Sequence, residues 1–337
     1  MADELNPAGG VNITSEQLAT SAATNRKELL KMPILSLGAA LNYFTIRTGI
    51  RYAETTGEID GDFELAPYDP YRVDREDMKI KGRTLYTYFG DVVKEFHPNS
   101  VYKTIYGSSI TSGDALKNVP IVYQILSLMA GKIGKGLRLH LFDAIRNEKG
   151  KKTKDLFNGA DTIAKTEIEA GNISVANGNL FEFPDVIDST NAVDLITAFC
   201  RAASDELLEA NDGEDSKGDG LLLYVPRSIV YAYRDDYKAT TGNSPIYDKF
   251  NQMVVEGYDN IRFVPFAGKA KSDIIQLSTK GNMLIGTDQM SNLENITVEK
   301  HHAFILQFIA TMFFGFQYES INSERLLVGK LKTAAGA

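Results

Sequence analysis

The sequence predicts an α+β fold, and three stretches carry that prediction. From Phe304 to Tyr318 every even-numbered residue is apolar: Phe304, Leu306, Phe308, Ala310, Met312, Phe314, Phe316 and Tyr318. The odd positions mix Gln307, Thr311, Gly315 and Gln317 with Ile305, Ile309 and Phe313. After Pro120 an apolar stripe recurs at helical spacing through Val122, Leu126, Met129, Ile133, Leu137, Leu141 and Ala144. From about residue 155 to 290, short apolar runs alternate with amphipathic helical runs, the mark of a mixed α/β region.

Residues 1–13 are rich in Gly, Ala and Asn and read as flexible. Thr14 with Gln17 makes a capping-box start for a helical run through Leu18, Ala22 and Leu29–Leu30 to Met32, where Pro33 breaks it. The apolar segment Ile34–Ile50 has no partner of its own and packs against the body or another chain.

Two extended arms follow, roughly Tyr52–Leu65 and Glu76–Tyr88, joined by the turn-rich stretch Ala66–Asp74. On the second arm Lys79, Lys81 and Arg83 fall on one face and Met78, Ile80, Thr84 and Tyr86 on the other. A hairpin so charged and weakly apolar cannot stand alone in water, so it lies on the body or on a neighbouring subunit. Phe89, Val92, Val93 and Phe96 then predict a short helix ending at His97-Pro98.

The long helix starts at Asn118, with Pro120 in its first turn, and its 28 or so residues make a rod on the order of 40 Å. Gly131, Gly134 and Gly136 either admit another backbone or kink it. In the α/β region Val193, Ile196, Cys200, Ala203 and Leu207 predict one helix of about 20 residues, followed by an acidic loop over 211–220. Leu221–Val225 is a buried strand, and Pro226-Arg-Ser opens a helix carrying Tyr233 and Tyr237 on one side. Strands at Ile261–Phe266, Ile274–Leu277 and Met283–Ile285 follow, the last two joined by a hairpin-type turn in which Gly281 and Asn282 can take positive φ. The closing alternation predicts a β-ribbon on the order of 50 Å, against ~17–20 Å for an ordinary strand. The alternatives are two strands broken near Thr311 or Gly315, or a buried helix.

With 337 residues, 43% hydrophobic, the chain is long enough for one large domain or two modest ones. A net charge of −8 argues against a protein that coats DNA or RNA, though not against one that encloses nucleic acid without gripping it. The single cysteine, Cys200, reads as a buried thiol. The N-terminus MADELNPAGG does not resemble a signal peptide, and the apolar run Ala303–Phe316 falls short of a membrane span. The expectation is a soluble protein made in a cytoplasm, in which the triplets at Asn12, Asn172 and Asn295 carry no glycosylation meaning.

Motifs for chemistry are missing. His97, His140, His301 and His302 have no metal-ligand spacing, and the adjacent pair would point to opposite faces of a strand. Gly131-Lys-Ile-Gly-Lys-Gly lacks both a preceding strand and a Gly-Lys-Ser/Thr ending, so it is no phosphate cradle. Asp212–Asp219 misses EF-hand spacing, and no Gly-X-Ser-X-Gly elbow exists. Glu58–Asp60 and Asp235–Asp236 are paired carboxylates without a pattern of partners. We assign no catalytic residue, cofactor or metal, and expect no enzyme.

The order of elements is more telling. It runs from an N-terminal arm through a charged hairpin, a rod-like helix and an α/β insertion to a long C-terminal ribbon. That order resembles the Hong Kong 97-type major capsid protein of tailed bacteriophages. The likeness is most specific in Leu221-Leu-Leu-Tyr-Val-Pro-Arg-Ser, in Met283-Leu-Ile-Gly-Thr-Asp, and in Phe304–Tyr318 followed by Ser323-Glu-Arg-Leu-Leu-Val-Gly-Lys-Leu.

The resemblance implies an N-terminal arm at 1–50, an extended loop and short helix at 51–98, and a peripheral domain with a spine helix at 99–154. It further implies an axial domain at 155–290 and a return to the peripheral domain at 291–337. Lys79, Lys81 and Arg83 become candidate intersubunit contacts of the extended loop. The implied function is a structural subunit that assembles with itself, as hexamers and pentamers, into an icosahedral head around double-stranded DNA, which it does not bind sequence-specifically. Scaffolding, portal and decoration proteins are further partners of such a shell. It would be built in the host cytoplasm, become part of the virion and touch no membrane. The family's lysine–asparagine cross-link cannot be placed on residues here, and the long charged leader some members cleave is not seen in residues 1–50. An encapsulin shell around a cargo enzyme shares the fold and stays open. So does an α/β enzyme or ligand-binding protein of another class.

Overall fold

The computed structural model describes residues 42–60, 68, 79–96, 120–209, 220–248, 252–288, 296–302 and 305–332. In chain order the strands are β1 (Thr45–Thr48), β2 (Ala53–Asp60), β3 (Lys79–Tyr86), β4 (Tyr88–Phe96), β5 (Leu180–Glu182), β6 (Leu221–Val225) and β7 (Val254–Val255). They continue with β8 (Tyr258–Pro265), β9 (Ile274–Ser278), β10 (Met283–Thr287), β11 (Ile296–His302), β12 (Ile305–Tyr318) and β13 (Leu326–Lys330). The helices are α1 (Pro120–His140), α2 (Ala160–Glu169), α3 (Ala192–Arg201), α4 (Asp205–Glu209) and α5 (Arg227–Thr241).

The closing alternation forms one unbroken strand. β12 runs 14 residues, about 45 Å of extended chain, and organises the five-stranded sheet. One edge of β12 pairs with β11 over its first half and β10 over its last residues, while the other pairs with β4 from Leu306↔Phe96 to Phe314↔Tyr88. Its even face is the buried one: Phe308, Ala310, Met312, Phe314, Phe316 and Tyr318 are all 6% exposed or less. Gly315 does not break it. A Cβ there would collide with the Tyr86 carbonyl, so glycine is what lets the chain cross over β12 at the β3–β4 junction.

Segment 88–96 is a strand, not the helix its apolar spacing predicts. The free edge of β12 supplies its backbone hydrogen bonds along the whole length, and the β-branched pair Val92–Val93 suits extended chain.

Helix α1 ends at His140, at 21 residues and about 31 Å, short of the predicted rod. Leu137 is buried on its last turns, and Leu141 and Ala144 are buried in the turn beyond. The side chains of Val122 and Leu126 lie outside the described residues. Gly131 has open space around it, whereas Gly136 faces the Thr153 side chain.

The second sheet has the order β5-β13-β9-β6-β8-β7 and separates two cores. On one side Leu222, Tyr224, Val264, Ile274 and Val328 meet α1, α2 and the even face of β12. Phe44 lies at the centre of this core, within 5.6–6.2 Å of the rings of Phe142, Tyr224, Phe266 and Phe316, so the described part of the segment Ile34–Ile50, residues 42–50, packs on its own body. On the other side Leu221, Leu223, Val225, Ile275 and Leu327 meet Ile196, Phe199 and Cys200 of α3 and Ile229, Tyr233 and Tyr237 of α5.

Two further expectations are corrected. The single helix predicted over 193–207 is α3 and α4, interrupted where the Ser204 hydroxyl turns back to accept the Leu207 N–H. The turn between β9 and β10 is no hairpin: the two strands belong to different sheets, and neither Gly281 nor Asn282 takes positive φ. Asn282 is buried instead, donating to Ser278 Oγ and the Arg325 carbonyl and accepting from the Ser320 N–H, which pins the crossing between sheets.

The strands also interleave across the segment limits drawn from sequence. β13 joins the six-stranded sheet with β5 and β9, while β1 and β10 join the sheet of β12. Among the described residues, no helix is long and apolar enough to cross a membrane.

Candidate intersubunit surface

The two charged arms pair as an antiparallel hairpin from Ala53↔Tyr86 to Asp60↔Lys79. Its base is fixed to the body. Leu85 is fully buried with Ile50 and Leu284, and the Thr87 N–H donates to the Tyr52 carbonyl at 2.8 Å.

The three candidate contacts do not share one fate. The Arg83 guanidinium turns onto its own chain, 2.6 Å from Glu167 Oε1 on α2 and 3.1 Å from Gln317 Oε1 on β12. Gln317 returns a hydrogen bond to the Thr84 carbonyl, and Asn172 donates to the second Glu167 oxygen. Burial alone raises the Glu167 carboxyl, but the hydrogen bonds from Asn172 and Arg83, with the Arg83 charge, hold it below its usual range. Arg83 is therefore an anchor of the hairpin within the subunit. Lys79 and Lys81 occupy alternate positions toward the far end of β3, opposite Asp60 and Glu58, and their side chains lie outside the described residues.

Beside this base an exposed apolar patch lies over the odd side of β12, with Phe313 itself buried beneath it. Tyr52 is 70% exposed and holds a φ of 72°, alone among the described non-glycine residues in taking positive φ. Its ring meets Phe313 edge-on at 5.1 Å, and Phe89 meets Phe313 at 5.2 Å. Phe89 and Val93 are 56% and 45% exposed, and no strand covers the outer edge of β4 among the described residues. An open edge with exposed apolar side chains is the kind of surface that another chain covers.

The groups that could carry chemistry are built into the core. Lys269 is fully buried, its Nζ 2.7 Å from both Asp161 Oδ1 and Gln276 Oε1 and 4.4 Å from the centre of the Phe142 ring. Burial pulls the Lys269 ammonium below the ordinary lysine range, and Asp161 offsets part of that. The second Asp161 oxygen accepts from Ser272, so both carboxylate oxygens are satisfied. Burial pushes the Cys200 thiol up to about 12, which leaves it inert. Asp236 accepts the Val193 N–H and so caps α3, which explains one of the paired carboxylates. His140 contacts Asp143 at 2.9 Å, and no cluster of three or more metal-ligating side chains occurs among the described residues. Sequence reasoning missed the Lys269–Asp161–Gln276 cluster because its members are 7 to 115 positions apart and share no motif.

No family model matches the sequence, and no curated protein matches it. Solved structures do match in fold. A cyanophage A-1(L) capsid chain is 14% identical at a TM-score of 0.53, covering 90% of this chain and 94% of that one. A chain of the satellite phage P4 procapsid is 11% identical at 0.52, covering 89% and 97%. The chain has the Hong Kong 97-type capsid fold. A capsid chain of an empty GTA particle, 11% identical at 0.50 over 86% and 95%, is similar in the same way. In all three the likeness spans most of both chains.

Proposed function

We propose that this protein is a structural shell subunit, the major capsid protein of a tailed phage, which assembles with copies of itself around a double-stranded DNA genome. The observation that carries the proposal is the length-wide likeness to capsid chains, at a TM-score above 0.5 for two of them. The exposed patch of Tyr52, Phe89 and Val93 beside an open strand edge supports it, since a lone subunit would leave that surface in water. In this reading the hairpin is the loop that reaches a neighbour, through Lys79 and Lys81 at its far end. Subunits would gather as pentamers and hexamers of the head, inside the host cell.

The test is negative-stain imaging of the expressed protein, alone and with its co-expressed neighbours. Closed shells or capsomer rings are expected, with nucleic acid in shells taken from infected or induced cells. A co-purifying protein cargo in place of nucleic acid would make it an encapsulin-type compartment. A strict monomer at high concentration in every combination would overturn the shell reading.

A further inference from the structure

The chain carries a net charge of −8, yet residues 131–154 hold eight Lys or Arg and only two Asp or Glu, a local charge of +6. On α1 the Ala130 and Leu137 side chains face the core, while Lys132 and Lys135 are exposed on the opposite side and Arg138 is half-buried. The turn after the helix adds Lys149, Lys151 and Lys152, all exposed. It packs against the helix where Gly136 faces Thr153, which brings the cations of the turn beside those of α1.

This turn is a built scaffold. Asp155 Oδ2 accepts the N–H groups of both Lys151 and Lys152 at 3.1 Å, and the Ile145 N–H donates to the Lys154 carbonyl. Arg146 stacks on Tyr88 at 3.8 Å and donates to the Leu156 carbonyl, which locks the turn from beneath. Asp143 is taken by His140 and Lys154, and Glu148 reaches only Arg146. Lys132, Lys135, Arg138, Lys149, Lys151 and Lys152 have no ion-pair partner among the described residues.

The geometry points to a polyanion-binding surface on α1 and the 145–154 turn, and its ligand is the phosphate backbone of duplex DNA. Six cations without an ion-pair partner among the described residues, on a fixed scaffold in an otherwise acidic protein, fit a repeating phosphate charge and carry no feature that reads base edges. The overall charge keeps the rest of the subunit from adhering to DNA. It also directs the contact to one face, and a shell subunit that binds its genome this way turns that face inward. The proposal rests on the shell reading only for the choice of DNA as the polyanion.

The experiment titrates unassembled full-length protein with a random-sequence DNA duplex between 50 and 200 mM salt. Six phosphate contacts predict an affinity loss of about a thousandfold across that range. In the variant with Lys132, Lys135, Lys151 and Lys152 each changed to Gln, the loss falls to about tenfold, because each removed contact lowers the salt slope by about one. A control variant, Lys238→Gln with Lys271→Gln, keeps the wild-type slope. On the wild-type protein, DNA should also shield Lys132, Lys135, Lys151 and Lys152 from acetylation, a readout independent of how the variants fold.

Absence of salt-dependent DNA binding, equal loss in the control, or unshielded lysines would each overturn the proposal. Tighter binding of poly-L-glutamate than of DNA would assign the surface to an acidic protein and overturn it as well. Shell formation, scored by imaging the same preparations, is a separate readout. Shells that form without DNA binding would sink this inference and leave the shell reading standing; DNA binding without shells would do the reverse.

Discussion

Arg83 on the hairpin and Glu167 on α2 lie 2.6 Å apart, so the hairpin is held to the body by an ion pair within the same subunit. Both side chains are about four-fifths buried, which shields the pair from salt. Arg83→Ala removes a charged hydrogen bond and should destabilise the unassembled subunit by about 1.5–3 kcal/mol at pH 7. The sign of the pH dependence follows from Glu167, whose carboxyl is held below 4.5 in the folded chain. Its contribution is complete above the unfolded value near 4.5 and is lost as pH falls through the folded value. Urea melts of wild type and variant should therefore differ at pH 6 and converge as the pH falls through the folded value of Glu167. A constant difference across that range would show that the pair does not act through the Glu167 charge.

The buried pair of Lys269 and Asp161 makes an opposite kind of prediction. Asp161→Asn leaves an ammonium in a dry core with only neutral partners and should cost about 3–5 kcal/mol. Adding Lys269→Met removes the stranded charge, so the double variant should be more stable than Asp161→Asn alone. Thermal melts of both decide it. A double variant that is the less stable of the two would mean that Lys269 does not depend on the carboxylate.

Much of this architecture can be read from sequence, and its failures share one cause. β12 and α5 follow from local periodicity, β6 from an unbroken apolar run that is buried throughout, and the paired arms of the hairpin from the turn-rich stretch between them. Segment 88–96 reads wrongly because Phe89, Val92, Val93 and Phe96 fit helical spacing, and only the edge of β12 decides otherwise. The turn at 279–282 looks like a hairpin because nothing local says that β9 and β10 enter different sheets. At the candidate surface, alternation groups Lys79, Lys81 and Arg83, but the partner that claims Arg83 lies 84 positions away. The aromatic patch escapes for the same reason: Tyr52, Phe89 and Phe313 meet only once β4 lies against β12.

Gly315 tests the crossing over β12. A methyl group there would run into the Tyr86 carbonyl, which is backbone and cannot swing aside. Gly315→Ala should cost about 1–3 kcal/mol and displace the β3–β4 junction, although alanine suits a strand better than glycine elsewhere. Melting curves of Gly315→Ala and, for comparison, Gly131→Ala give the contrast. Gly131 has open space around it on a helix, and its replacement should stabilise by up to about 1 kcal/mol. Equal effects at the two sites would show that the junction does not touch β12 as described.

The last prediction concerns the hairpin's reach and must separate assembly from folding. Reversing all of Lys79, Lys81 and Arg83 to Glu would confuse the two, because a glutamate at 83 would face Glu167 inside the subunit. Lys79→Glu with Lys81→Glu avoids this. Both positions sit toward the far end of β3, away from the anchored base. A reversal of charge away from the anchored base should alter folding little, so the double variant should keep a normal circular-dichroism spectrum and a stability within about 1 kcal/mol of wild type. If the far end meets carboxylates on a neighbouring copy, the same reversal sets like charges against each other and should slow or abolish shell formation, most strongly at low salt. Light scattering and imaging at 50 and 300 mM salt read the outcome, with partial recovery expected at the higher value. Assembly at the wild-type rate at low salt would remove Lys79 and Lys81 from the contact. The apolar patch of Tyr52, Phe89 and Val93 would then remain as the surface on which copies meet.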